Sequence, residues 1–109
     1  MNIDWINRIG VFYLDYSWAE DLFYKTWKSI PKEAIQLVRN GRSDMSIQLK
    51  DGSFIKFVSA NSNSCGRVYN KIYYQDGISD EIINVIIRPM LRSPNLIRLE
   101  KPNEAHRFN

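Results

Sequence analysis

The sequence predicts a small α/β domain: a mixed β-sheet that includes a β-hairpin, with helices flanking it. Three observations lead there. Strand-like runs occur at residues 9–14, 68–75 and 96–99, and stretches with helical apolar spacing lie between them. An Asp51-Gly52 pair joins two alternating runs, which is the strongest short-range hairpin signal. Helical connections make neighbouring strands parallel and a tight turn makes them antiparallel, so a chain with both builds a mixed sheet.

Ile9-Gly-Val-Phe-Tyr-Leu14 is read as a buried strand. Behind it, Ser17-Trp-Ala-Glu20 has the spacing in which a serine caps a helix and a glutamate reaches back to the cap. Apolar residues then recur at Ala19, Leu22, Phe23, Trp27 and Ile30, giving a helix with one buried stripe. Pro31 suits the first turn of a new helix, so residues 32–39 are expected to form a short one stopped at Asn40-Gly41. Residues 45–50 and 53–58 form the hairpin, with Asp51 and Gly52 supplying the two positive-φ positions of a type I′ turn.

Residues 59–67 are polar and small, which predicts a loop, and residues 68–75 form the next strand. Asp76-Gly77 turns the chain. Ser79 is a helix cap with Asp80 and Glu81 in the first turn, and Ile82, Ile83, Ile86, Ile87 and Met90 share an apolar face. Pro89 is expected to end or kink that helix. Residues 96–99 are a last strand, Pro102-Asn103 a turn, and residues 105–109 a frayed tail.

At 109 residues, 44 % apolar and 13 % aromatic, the chain has material for one domain, residues 1–109, around one modest core. No apolar run reaches the roughly 18 residues that cross a bilayer, and the N-terminus lacks a secretory pattern, so a cytoplasmic protein without a membrane partner is expected. The lone cysteine, Cys65, excludes an internal disulfide, and with the lone histidine, His106, it cannot build structural zinc. The formal charge of +3 resides after residue 87, where Arg88, Arg92, Arg98, Lys101 and Arg107 face only Glu100 and Glu104.

Five segments, in order, carry a family resemblance: residues 10–14 with Ser17-Trp-Ala-Glu20; Ser29-Ile-Pro31; Ser46-Ile-Gln-Leu-Lys-Asp-Gly-Ser-Phe-Ile55; residues 59–66; and Ile72-Tyr-Tyr-Gln-Asp76 followed by residues 96–103. Together they resemble the ATPase core of the large terminase subunit of tailed bacteriophages, the motor that pumps DNA into proheads. Over residues 8–104 the resemblance implies part of a P-loop ATPase fold. It places Gln75 and Asp76 where the metal-holding and water-orienting acids of a Walker B strand belong, and Lys101-Pro-Asn103 near the family's coupling motif.

The departures bear on function. A P-loop ATPase cradles phosphates in G-x-x-x-x-G-K-[ST] and holds Mg²⁺ through its Walker B aspartate. This chain has no such loop, and Gln75 brings no negative charge to a hard cation. Asp76 is a methylene shorter than the usual glutamate, and Cys65 replaces the arginine that tends to precede Gly66. The reading is a vestigial site with no cofactor, no metal and no catalysis. In the family the P-loop strand lies centrally, beside the Walker B strand. Its loss leaves two alternatives: residues 68–75 pair directly with residues 96–99, or another chain lends a strand to an open edge at Tyr69, Lys71 and Tyr73.

Other residues have plainer readings. Asp76, Asp80 and Glu81 read as a turn acid and two helix-start acids rather than a metal cluster. Cys65, Ser62 and Ser64 have no base in reach unless His106 folds back. Trp18, Phe23 and Trp27 read as core, whereas Trp5, Tyr13, Tyr16 and Tyr24 are candidates for an interface. The expectation is a non-catalytic, phage-type, terminase-like protein that acts on a packaging-motor subunit or a host protein by binding it, self-association included. The alternative is a nucleic-acid-binding accessory protein using Arg88, Arg92, Arg98, Lys101 and Arg107. A third is an ATPase half-site whose P-loop another chain supplies.

Overall fold

β1 (Arg8–Tyr13) becomes a strand because Val11, Phe12 and Tyr13 are all buried, which only a strand covered on both faces allows. A computed structural model describes residues 7–41, 44–60, 68–92 and 96–99. After β1 come α1 (Tyr16–Lys28), β2 (Ile35–Gly41), β3 (Asp44–Leu49), β4 (Phe54–Ser59), β5 (Lys71–Gln75), α2 (Asp80–Ile82) and β6 (Leu96–Leu99). The sheet order is β2-β3-β4-β1-β5-β6. β1 pairs parallel with β4 and β5, β5 parallel with β6, and β3 antiparallel with β2 and β4. The small mixed α/β sheet is as expected.

The sheet divides the core into two layers. On one face Val11, Tyr13, Met45, Ile47 and Phe57 pack with Trp18, Ala19 and Phe23 of α1. On the other, Phe12, Val58 and Ile72 pack with Ile83, Ile87 and Met90. Each buried aliphatic or aromatic side chain stabilises the fold by about 1.5–3 kcal/mol. Tyr69 joins the second layer edge-on to Phe12 at 6.1 Å between ring centroids. Gly10 gives it room: a β-carbon there would meet the Tyr69 ring at 3.1 Å and the ring would have to yield by a few tenths of an ångström.

Several local readings change. α1 starts at Tyr16 with Asp15 in the cap position and no side-chain cap, so Ser17 lies within the helix. Asp15 does not cap because its Oδ2 accepts from Gln75 Nε2 at 3.0 Å. The helix expected over residues 32–39 is a single 3-10 turn, Lys32–Ala34, followed by β2. β2 pairs with β3, and a register shift between Ile35 and Leu37 breaks the two-residue alternation that would mark it as a strand. In the hairpin turn only Gly52 has positive φ, at 96°, so the turn is not type I′. It is a longer loop in which Gly52 N donates to Leu49 O at 3.1 Å and Leu49 N donates to Ser53 O at 2.8 Å.

β5 begins at Lys71, later than expected, because Tyr69 instead pairs with the end of the next helical run: Tyr69 N donates to Met90 O, and Arg92 N to Tyr69 O, both at 2.8 Å. Ser79 caps α2, accepting from Ile82 N at 3.3 Å. The run then widens to a π-helical turn, Ile83–Ile87, and closes as a 3-10 turn, Arg88–Met90. Pro89 accounts for the change, since it has no N–H for the Val85 carbonyl and its ring would collide with it. β5 pairs directly with β6, so the first of the two sheet arrangements holds. The open partner edge expected at Tyr69, Lys71 and Tyr73 is therefore absent: β5 is flanked by β1 and β6, and Tyr69 is buried. Cys65, Ser62, Ser64, Trp5, Lys101, Arg107, His106 and the tail lie outside the described residues.

Candidate functional site

In open sheets with parallel strands, ligands settle at the carboxyl ends where neighbouring connections diverge. Here that point is the end of β1, between β4 and β5. Gln75, the last residue of β5, occupies it with only 2 % of its surface exposed. Its Oε1 accepts from Leu14 N at 2.7 Å and from Asp15 N at 3.1 Å, while its Nε2 donates to Asp15 Oδ2. Both lone pairs of the amide oxygen are thus taken by backbone donors, and the amide ties β5 to the β1–α1 connection.

Asp76, one residue on, faces outward. Its backbone N donates to Leu99 O at 2.8 Å. Its carboxylate lies 3.9 Å from an Arg98 guanidinium nitrogen, with both side chains about half exposed or more, a pair worth at most about 1 kcal/mol. Asp80 and Glu81 stay in the first turn of α2. Among the described residues no three His, Cys, Asp or Glu side chains converge as a metal cage would require.

The described basic residues have separate surroundings. Arg88 Nε donates to Asn84 Oδ1 at 2.9 Å, Arg98 faces Asp76, and Arg92 is exposed. Of the aromatics, Trp18, Phe23 and Tyr13 are buried and Trp27 is half-buried. Tyr13 therefore leaves the set of candidate interface residues. The indole N–H groups of Trp18 and Trp27 are buried without a hydrogen-bond acceptor among the described residues. Tyr24 is exposed, with its hydroxyl accepting from Asn40 Nδ2 at 2.8 Å.

Sequence reasoning missed two surface features. One is a polar hollow of about 210 Å³ over β2, β3 and β4. Asp44 closes it on itself by taking Ser46 Oγ at 3.2 Å, Lys56 Nζ at 3.3 Å and Arg39 Nε at 3.6 Å. The other is an apolar cleft of about 290 Å³ beside α1. β1 lends it Ile9 and Val11, β4 Ile55 and Phe57, β5 Tyr73 and β6 Leu99; α1 walls it with Leu22 and Thr26. Thr26 contributes its methyl there, because its hydroxyl turns back to donate to Leu22 O at 2.7 Å.

The cleft follows from a shortage of helices. α1 packs over β1, β3 and β4, and no helix among the described residues covers β5 and β6 on that face. The signal was present in the sequence: the last two strands carry apolar residues on both faces (KIYYQ and LIRL), with too few helical segments to cover them. No helix among the described residues is long and apolar enough to cross a membrane. Comparison with protein-family models, with curated proteins and with solved structures finds no match to this chain.

Proposed function

We propose that the chain is a non-catalytic domain of the phage packaging-ATPase type, working in the cytoplasm of an infected cell by binding another protein of the motor or of the host. One observation carries the reading. Where a motor ATPase needs a magnesium-holding carboxylate, this chain has a buried amide whose oxygen is already engaged by two backbone N–H groups. A carboxylate there would face the Asp15 carboxylate instead of a cation. With no phosphate-cradling loop in the sequence, the apolar cleft beside α1 is the surface best suited to recognition.

The test has two arms. The purified full chain with Mg²⁺ and ATP is expected to give no turnover, and Gln75→Asp is expected not to create any, because the phosphate cradle is missing. Turnover that disappears in Asp76→Ala would overturn the reading. Affinity purification from infected cells should recover a protein partner. Salt-dependent retention of DNA or RNA, lost when Arg88, Arg92 and Arg98 are neutralised, would instead favour a nucleic-acid accessory role.

A further inference from the structure

We propose that the cleft beside α1 receives an amphipathic helix of a partner protein, with acidic residues flanking its apolar stripe. This rests on the protein-binding reading and specifies its ligand. Shape argues for a helix. Among the described residues no helix lies over β5 and β6, the two strands beyond β1 on the α1 face. Two inter-strand spacings of about 4.8 Å give a shelf roughly 10 Å wide, close to the spacing of two packed helices. A helix laid on that shelf would complete the layer α1 begins.

Chemistry argues for the stripe. Every lining side chain is apolar except Thr26, whose hydroxyl is internally bonded, and Tyr73, whose hydroxyl makes no hydrogen bond to another described residue. The apolar anchors of a helix at i, i+3 or i+4, and i+7 would meet Leu22, Phe57, Tyr73 and Leu99. Charge argues for the flanks. Lys71 is paired in register with Ile9 of the cleft floor, and its ammonium stands 5.8 Å from the Tyr73 ring centre. On the α1 wall, Lys25 follows the lining residue Leu22 by three positions and so neighbours it on the helix surface. Its partner, Asp21, is 3.2 Å away with both side chains more than half exposed, a contact weak enough to be exchanged for an acid of the incoming helix. A base on each side of an apolar floor selects acidic flanks and disfavours basic ones.

The experiment is selection of a display library of random 16-residue peptides against the full chain, with binders then titrated into ¹⁵N-labelled protein. Enriched sequences should show helical apolar spacing with Asp or Glu beside the stripe, and should move the amides of Leu22, Thr26, Tyr73 and Leu99. Tyr73→Lys should weaken them at least tenfold. Because that change touches a residue lining the cleft, charge reversal at its rim, Lys25→Glu (exposed) and Lys71→Glu (half-buried), provides a second test: it should weaken acidic binders about tenfold at low salt while the protein still unfolds in one cooperative transition. Binders with two-residue alternation, basic flanks, or footprints on β2 or the outer side of β6 would overturn the helix proposal alone and leave a protein-binding role standing. No enriched peptide, together with no protein recovered from infected cells, would overturn both.

Discussion

Gln75 shows how much one side chain decides. Gln75→Leu would strand the N–H groups of Leu14 and Asp15 and leave the Asp15 carboxylate without its amide donor, so a loss of about 2–3 kcal/mol is expected in urea unfolding. Gln75→Glu keeps the shape but sets two carboxylates about 3 Å apart, judged from the present amide contact. Repulsion raises their folded-state pKa, so the variant should be markedly weaker than wild type at pH 7 and should recover as the pH falls and one carboxyl protonates. Gly10→Ala should cost about 1–3 kcal/mol by pressing a methyl on the Tyr69 ring, measurable as a lowered midpoint of thermal unfolding. At this scale the sequence was partly legible. It marked Gln75 and Asp76 as the two residues to watch, but could not say that the first is a buried brace and the second a surface acid. That difference depends on the β1–α1 connection, which is brought alongside from 60 residues away.

Among the elements, the hairpin is the one the sequence announced most clearly and the one most open to a pH test. The Ser53 backbone N–H, assisted by its side chain, donates to Asp51 and holds that carboxyl below its ordinary value of 3.8. A lowered folded pKa gives stability that is present above 3.8 and disappears as the pH falls through the lowered value. The urea midpoints of wild type and Asp51→Asn should therefore differ more at pH 6 than at pH 2.5. α1 and the helical run after Ser79 were legible from their clear apolar period; the cap at Ser79 was legible too, whereas the one expected at Ser17 lies inside α1. β2 was not, because the register shift after Ile35 disguises its alternation and Pro31 imitates a helix start. The π turn was also hidden. Pro89 announces an interruption but not how the backbone absorbs it.

For the molecule as a whole, the strand order could not be read from the sequence, since pairing is decided by which apolar faces meet and not by neighbours in the chain. Of the two arrangements left open for β5, direct pairing with β6 is the one found, and the sheet surface without a helix among the described residues lies on the α1 face. Amide hydrogen exchange should reflect this arrangement, with Val11 and Phe12 of the doubly flanked β1 slowest and the outer strands β2 and β6 faster. The central place of β1 also sets a timetable for folding. Asn7 meets Ser53, 46 residues on, and Arg8 meets Asn70, 62 residues on. Such distant closures place the domain among the slower folders, milliseconds to seconds rather than microseconds. On the ribosome, β1, made before both of its neighbours, waits as an apolar ribbon until β4 and then β5 have emerged, so the local β2-β3-β4 meander has time to form before β1 is locked between them.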